Sequence, residues 1–129
     1  MTMISNVSGK ILIIEDDSDI AFVLKTMIEL DGYTAVTAGN GQIALDLIQS
    51  EGPFQLIFLD MQMPIMNGWV FAETFYKLYG HTVPIVVMTA AADSKHRAKE
   101  VDANDCLAKP FEIPEFQAMV QKYLSVKSV

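Results

Sequence analysis

Short apolar runs that stop at a polar residue recur along this chain, and they restrict its fold more than any other feature. The clearest runs are residues 11–14, 56–59, 85–88 and 106–108. Continuous apolar runs of this length are typical of strands buried on both faces. The polar residues that come after them are Asp16, Asp60, Thr89 and Lys109. Because ligands of an open α/β sheet bind beyond the carboxyl ends of its strands, we expect these four residues along one edge.

Segments with helical spacing of apolar residues alternate with the strand-like runs. We predict strands at residues 10–14, 33–37, 54–59, 84–88 and 105–108. The intervening helices are expected at residues 20–30, 41–51, 68–78, 93–101 and 112–126, with Asn40 capping the second of them. Five β–α units in strict alternation predict a single α/β domain, a parallel sheet with helices on both faces.

Composition limits the classes of protein to which the chain can belong. Its 129 residues are 51% hydrophobic and carry a net charge of −7, which suits one compact domain and disfavours direct contact with nucleic acid. The apolar stretches are far shorter than the ~20 residues of a membrane helix, and no secretory signal is visible. We expect no membrane partner, a cytoplasmic location consistent with the single cysteine, and a mobile polar lead-in at residues 1–9.

Three consecutive acids, Glu15, Asp16 and Asp17, come directly after the first strand. One interpretation is capping of the following helix, because Asp is favoured at a helix N-terminus. The other is a metal site, since Mg²⁺ prefers one or two carboxylates together with waters and a phosphate. Asp16 and Asp60, on separate strands, would supply such a pair of carboxylates.

Asp60 is the strongest candidate for chemistry. A carboxylate that ends a buried strand needs a partner, and a carboxylate can attack phosphorus to form an acyl phosphate. Lys109 would neutralise charge on the phosphoryl oxygens, and Thr89 would donate a hydrogen bond to one of them. Taken singly, Lys109 is equally compatible with a surface lysine, and Thr89 with an ordinary residue at a strand end.

The ordered motifs resemble the receiver domain of response regulators in two-component signalling, particularly the single-domain chemotaxis regulators. The resemblance covers about residues 10–127, which we take as the domain. It is carried by the motifs Ile-Leu-Ile-Ile-Glu-Asp-Asp at 11–17, Leu-Asp-Met-Gln-Met-Pro-Ile-Met-Asn-Gly at 59–68, Met-Thr-Ala at 88–90 and Lys-Pro-Phe at 109–111.

This resemblance implies a flavodoxin-like, doubly wound sheet with strand order 2-1-3-4-5. It implies that Asp60 accepts a phosphoryl group from a histidine kinase or a histidine phosphotransfer protein, while Thr89 and Lys109 contact that group. It also implies a cis peptide bond between Lys109 and Pro110. Such a protein is a signalling module and not a conventional enzyme, although it takes part in its own phosphorylation and autodephosphorylation.

The resemblance further implies a divalent metal, Mg²⁺ or Mn²⁺. Asp16 and Asp60 would bind it directly, the backbone carbonyl of Gln62 would be a third protein ligand, and Glu15 would act through water. The phosphorylated domain would bind a protein target through a switched surface, either as a monomer or as a phosphorylation-dependent dimer.

Two positions depart from the family pattern. Cys106 stands three residues before Lys109, where the family usually has an aromatic ring that moves inward with the threonine corresponding to Thr89. Asp102 stands where a glycine is common. Both changes leave the phosphorylation residues intact but alter the usual coupling between the switch positions, Thr89 and Cys106.

Alternative functions lack parts that they need. A phosphatase of the haloacid dehalogenase type generally has a second Asp two residues after the nucleophile, and that position is Gln62. A flavodoxin-like carrier would have three acids facing the cofactor phosphate. A phosphorylation-independent adaptor with a receiver fold remains open, because Cys106 replaces the aromatic switch.

Overall fold

The computed structural model describes residues 9–124. Within them the chain alternates five strands with five α-helices, and a single 3₁₀ turn at Ala91–Asp93 precedes α4. The strands are β1 (Lys10–Ile14), β2 (Thr34–Ala38), β3 (Leu56–Asp60), β4 (Ile85–Ala90) and β5 (Asp105–Lys109). The helices are α1 (Ser18–Leu30), α2 (Gly41–Glu51), α3 (Gly68–Tyr79), α4 (Ser94–Glu100) and α5 (Ile113–Leu124).

All neighbouring strands are parallel, in the order β2-β1-β3-β4-β5. This confirms the predicted doubly wound α/β fold. The chain order reverses at β1, so the crevice at the carboxyl ends of β1 and β3 is the place where such sheets bind ligands.

Successive side chains of each strand point to opposite faces of the sheet, and this divides the core into two layers. On β1, Leu12 and Ile14 pack with residues of α2 and α3, whereas Ile11 and Ile13 pack with residues of α1 and α5. All four side chains are fully buried. Helices therefore cover both faces of the sheet, which explains why the strands read as continuous apolar runs and not as alternating ones.

The strands end later than the sequence predicts. Asp60 and Lys109 are the last residues of β3 and β5, and Thr89 lies inside β4, whereas we placed Thr89 and Lys109 just beyond their strands. The backbone pairing continues under these polar side chains, with Thr89 opposite Ala108 and Ala90 opposite Lys109. The site is thus built on sheet residues, which hold side chains more rigidly than loops do.

The other boundaries agree with the predictions, as for β1 and α2, or differ from them by one or two residues. The fourth helix is shorter, because residues 91–93 form the 3₁₀ turn. Residues 125–126 of the predicted fifth helix, and residues 1–8 of the predicted lead-in, lie outside the described residues. The predicted domain limits of 10 and 127 therefore stay a prediction. Among the described helices, none has the length and apolar character that a membrane span requires.

Candidate phosphoacceptor site

The register of the sheet brings the first acidic residues next to Asp60. Ile14 of β1 is paired with Leu59 of β3, so the residues that follow them, Glu15 and Asp60, lie side by side at the carboxyl edge. Oxygen atoms of Glu15, Asp16 and Asp60 lie within 4.8 Å of one another. The predicted convergence of these acids is therefore present in the structure.

Glu15 is the most deeply embedded of the three acids, with 3% of its surface exposed. Its backbone N–H donates to the carbonyl of Ala38 at 2.9 Å, which ties the residue to the end of β2. Its Oε1 lies 2.8 Å from Nζ of Lys109, and its Oε2 accepts a hydrogen bond from the Asp17 amide at 3.2 Å. Both carboxylate oxygens of Glu15 thus have a partner.

Asp16 and Asp17 have different roles. Asp17 is the N-cap of α1, and its Oδ1 accepts hydrogen bonds from the amides of Asp19 and Ile20 at 3.0 and 3.1 Å. Asp16 is exposed at the mouth of the acidic cluster. The capping and metal-site interpretations of the acidic run are thus both compatible with the structure, on different residues.

Asp60 is only 4% exposed, and its Oδ1 accepts a hydrogen bond from the backbone N–H of Gln62 at 3.1 Å. Burial raises its pKa from the ordinary value of 3.8 to about 7, and the hydrogen bond and the negative charge shared with Glu15 act in the same direction. The Gln62 amide and Lys109 partly oppose this rise in the pKa. Negative charge on Asp60 is therefore costly until a further cation arrives.

Lys109 approaches both buried acids from β5. Its Nζ lies 2.8 Å from Glu15 Oε1 and 3.7 Å from Asp60 Oδ2. Burial alone would lower the pKa of Lys109, but the hydrogen bond that Lys109 donates to Glu15 and the charges of Asp60, Glu15 and Asp16 outweigh burial and raise the pKa above its usual range. Lys109 is therefore a positively charged group held beside Asp60 and not a free surface lysine.

Thr89 lies on β4, next to the strand of Asp60, and Cys106 lies on β5. Thr89 is 5% exposed, and among residues 9–124 no group forms a hydrogen bond with its hydroxyl. That hydroxyl can donate to a newly arrived anion without breaking an existing bond. Cys106 is half-buried in β5 and packs against the same core cluster as Ala98 of α4 and Ala103.

Backbone hydrogen bonds hold the loop between β3 and α3, residues 61–67, near both of its ends. The amide of Gly68 donates to the Met61 carbonyl at 3.2 Å, and a Cβ atom at Gly68 would come within 2.8 Å of the Met61 Cα. Any larger residue would push this loop away from Asp60, which explains the glycine of the motif. At the other end, the Gly41 amide donates to the carbonyl of Met66 at 3.1 Å.

The donor set at this edge fits a hard divalent cation. Carboxylate oxygens are the preferred ligands of Mg²⁺, and two or three of them converge here with one acid exposed to solvent. Burial and, to a smaller extent, the neighbouring Glu15 carboxylate raise the pKa of Asp60, and the Lys109 ammonium group only partly opposes this rise. A divalent cation would complete the charge balance.

Comparison with known proteins gives a consistent result. A family model for the response regulator receiver domain matches residues 11–121. Sporulation initiation phosphotransferase F of Bacillus subtilis is 36% identical over 121 residues, which are 92% of this chain and 96% of the relative. The solved structure of the chemotaxis protein CheY4 from Vibrio cholerae has a TM-score of 0.80 and 29% identity, covering 91% of this chain and 99% of its own.

The chain belongs to the response regulator receiver family. The receiver TrrA of Thermotoga maritima, solved in complex with Mg²⁺ and BeF, has a TM-score of 0.78 and 28% identity, with 90% of this chain and 99% of TrrA covered. The chain spans about half the length of several transcriptional regulators that it also matches. Receivers of this family are signalling modules that accept phosphoryl groups from histidine kinases and bind Mg²⁺ at an acidic pocket.

Some features of the site were not visible in the sequence. The sequence predicts Lys109 as the cation for the phosphoryl group, but it does not show that the carboxylate closest to Lys109 is that of Glu15. Ile65, in the loop after Asp60, has a positive φ of 67°, which its residue type does not signal. The cis bond at Lys109–Pro110 is as predicted, and a second at Gly52–Pro53 was not predicted.

The raised pKa of Asp60 predicts a pH-dependent effect of the Asp60→Asn substitution. Between pH values of about 4 and about 7, folded Asp60 keeps a proton that the unfolded chain has lost. The stability that this proton gives is complete below that window and lost as the pH rises through it. We expect the free energy of unfolding of Asp60→Asn to rise relative to that of the wild type by up to about 4 kcal/mol as the pH increases from about 4 to about 7, and to stay at that difference above pH 7.

Urea denaturation of both proteins in the presence of a chelator measures this difference across the pH range. Parallel stability curves for the wild type and the variant would contradict the raised pKa.

Proposed function

We propose that this chain is a phosphoacceptor of a two-component or phosphorelay system, in which Asp60 receives a phosphoryl group from a phosphohistidine. The observation that carries the proposal is the buried Asp60 carboxylate, which lies 3.7 Å from the Lys109 ammonium group. On β4, the strand between theirs, the Thr89 hydroxyl has no hydrogen-bond partner among residues 9–124. A carboxylate, a cation and a neutral donor are the groups that an incoming phosphoryl group requires.

In the proposed reaction an Asp60 carboxylate oxygen attacks phosphorus and forms an acyl phosphate. The phosphorus–nitrogen bond of the donor histidine breaks, and the imidazole leaves with its electron pair and takes up a proton. Lys109 and Thr89 stabilise the negative charge on the phosphoryl oxygens. Later attack by water releases phosphate, so the module also takes part in its own dephosphorylation.

Mg²⁺, or Mn²⁺ in its place, would be held by the carboxylates of Asp16 and Asp60 and by the backbone carbonyl of Gln62, with Glu15 acting through water. When bound, the ion neutralises negative charge on the acids and the phosphoryl group. The Gln62 amide already contacts Asp60, which keeps this residue at the site.

Phosphorylation would then change a protein-binding surface, with Thr89 and Cys106 as the switch positions. The donor would be a histidine kinase or a histidine phosphotransfer protein, and the output an unidentified protein target without direct nucleic-acid contact. The Bacillus relative is named as a phosphotransferase, and a similar place in a relay suits this chain. We expect a cytoplasmic monomer or a phosphorylation-dependent dimer.

One observation favours a second candidate, a phosphorylation-independent adaptor. Cys106 stands where the family usually has an aromatic ring, and together with Ala98 and Ala103 it lines a groove of about 510 Å³ between α4 and β5. A small thiol lacks the bulk of the ring that would move with Thr89. Under this alternative, the surface at α4 and β5 binds its target equally well with and without phosphoryl on Asp60.

The phosphoacceptor proposal predicts that incubation with Mg²⁺ and phosphoramidate adds one phosphoryl group to the wild type, measured by intact mass. Asp60→Asn keeps the shape of the side chain but has no nucleophilic carboxylate, so we expect no adduct. Removal of Mg²⁺ should also abolish the adduct. An equal adduct on the variant would contradict the proposal. So would a wild-type protein that is neither phosphorylated by phosphoramidate nor able to bind beryllofluoride.

The metal assignment predicts that Mg²⁺ raises the melting temperature of the wild type. A ligand at 100 times its Kd stabilises the folded state by about 2.7 kcal/mol. Asp16→Asn should lose most of this shift. Asp17→Asn is the matched control, because it removes the same charge from the adjacent residue while Asn caps α1 as well as Asp does. An equal loss of the Mg²⁺ shift in both variants would indicate a general charge effect and contradict the assignment.

A further inference from the structure

Gly41 is the first residue of α2 and is buried. Glycine weakens a helix relative to alanine, and it is expected where the chain needs a positive φ or the close approach of another segment. The φ of Gly41 lies outside the left-handed region, unlike the φ values of Gly32 and Gly80. The backbone of α2 therefore does not require glycine at its first position, and the reason for it lies in what contacts this residue.

The loop after Asp60 occupies the space that a side chain on residue 41 would need. A Cβ atom on Gly41 would come within 2.7 Å of the Cγ atom of Met66, 2.8 Å of its Sδ atom and 3.0 Å of its carbonyl oxygen. Met66 is partly buried and packs against the core, so displacing its side chain also costs packing. The missing side chain of Gly41 thus lets α2 begin in direct contact with this loop.

A backbone hydrogen bond accompanies this contact. The N–H of Gly41 donates to the carbonyl of Met66 at 3.1 Å. The first N–H groups of an α-helix have no acceptor inside the helix, and that of Ile43 is satisfied by the side chain of Asn40 at 2.9 Å. The N–H of Gly41 is bonded to the loop instead, so the start of α2 fixes the position of the Met66 backbone.

The loop needs this bond because the turn before Met66 is strained. The N–H of Met66 donates to the carbonyl of Pro64 at 2.7 Å, and Ile65 between them has a φ of 67°. A three-residue turn with this hydrogen bond and a positive φ is the rarer and more strained form of γ-turn, and a β-branched residue at its centre adds to the cost. Movement of Met66 away from α2 would relieve this strain, and the bond from Gly41 opposes that movement.

The same loop carries a residue that we assign to the metal. The N–H of Gln62 donates to Asp60 Oδ1 at 3.1 Å, and its carbonyl is the third protein ligand in our assignment. Residues 63–65 alone join Gln62 to Met66. A shift of the Met66 backbone therefore changes the path of this short segment and the direction of the Gln62 carbonyl. Loss of a contact that only orients a metal ligand typically lowers metal affinity by about 10- to 100-fold.

We propose that Gly41 is a positioning residue of the metal site: the start of α2 holds the strained loop in the shape that directs the Gln62 carbonyl toward a divalent cation on Asp60. Gly41 acts through Met66 and not by contact with the ion or the phosphoryl group. A side chain at this position lowers the affinity for Mg²⁺ and leaves the carboxylate chemistry intact. This inference rests on the proposed function and adds to it a requirement outside the set of ligands.

Gly41→Ala tests the contact, and Gly39→Ala is its matched control. Gly39 lies in the turn before α2, is exposed, and also has a φ outside the left-handed region. Among the described residues, none except its chain neighbours has an atom within 4 Å of a Cβ on Gly39. Both variants add one methyl group to the same short segment, and only the methyl group on residue 41 meets the loop.

Met66→Ala, alone and combined with Gly41→Ala, tests whether the effect passes through Met66. This substitution removes the Cγ and Sδ atoms that a Cβ on Gly41 would meet, and it leaves the backbone hydrogen bond between the two residues in place. The combined variant keeps only the contact with the Met66 carbonyl oxygen at 3.0 Å, which a small shift of the loop relieves.

Two measurements are made on each protein. The Kd for Mg²⁺ is obtained from the rise of the melting temperature with Mg²⁺ concentration, and the rate of phosphoramidate labelling is measured over the same concentrations. We expect the Kd of Gly41→Ala to rise about tenfold, while its labelling rate returns to the wild-type value at saturating Mg²⁺. Gly39→Ala and Met66→Ala should keep a Kd within about twofold of wild type, and the combined variant should recover most of the lost affinity.

A purely structural role of Gly41 would lower the labelling rate at every Mg²⁺ concentration, and that result would overturn the proposal. An unchanged Kd for Gly41→Ala, or an equal loss of affinity in Gly39→Ala, would also overturn it. So would failure of Met66→Ala to restore binding in the combined variant. If Gly41→Ala does not fold, the combined variant decides, because it should fold and bind Mg²⁺ as Met66→Ala does. A wild type that binds no Mg²⁺ would instead refute the metal assignment of the proposed function.

Discussion

The buried carboxylates of Glu15 and Asp60 lie at the carboxyl edge of the sheet with one ammonium group, that of Lys109, in contact with both. Two acids and a lysine leave a net negative charge in a buried site, and exposed Asp16 adds a third acid to the cluster. The pKa of Asp60 rises to about 7, mainly because burial disfavours its charged form and also because Glu15 lies beside it. The carboxylates of this site suit a divalent cation. Once that cation is bound, Lys109 and Thr89 can donate hydrogen bonds to a phosphoryl group on Asp60.

The fold makes this arrangement possible by placing Asp60 and Lys109 on rigid strands and Glu15 directly after β1. Asp60 and Lys109 are terminal strand residues, and apolar layers on both faces of the sheet hold those strands in register. The loop after Asp60 is closed by Gly68, whose lack of a side chain permits contact with Met61. The stability of the core thereby keeps the carboxylates of Glu15 and Asp60 close together although they repel each other. Local destabilisation of this kind is common at functional sites.

Much of the fold could be predicted from the sequence, because two-sided burial of a parallel strand leaves a continuous apolar run that ends at a visible polar residue. The order of the motifs likewise predicted which residues meet at the edge. Local patterns could not predict that Lys109 lies closest to Glu15, 94 positions away, since that choice depends on the register of the sheet. The positive φ at Ile65 was also hidden, because loop closure imposes it on a residue type that rarely adopts it.

The measurement that tests this account most directly is a crystal structure of the protein with Mg²⁺ and beryllofluoride. The account predicts beryllofluoride on the carboxylate of Asp60, fluorine atoms within hydrogen-bond distance of Thr89 Oγ1 and Lys109 Nζ, and Mg²⁺ on Asp16 and Asp60. Beryllofluoride on another carboxylate, or Mg²⁺ bound away from these acids, would contradict it.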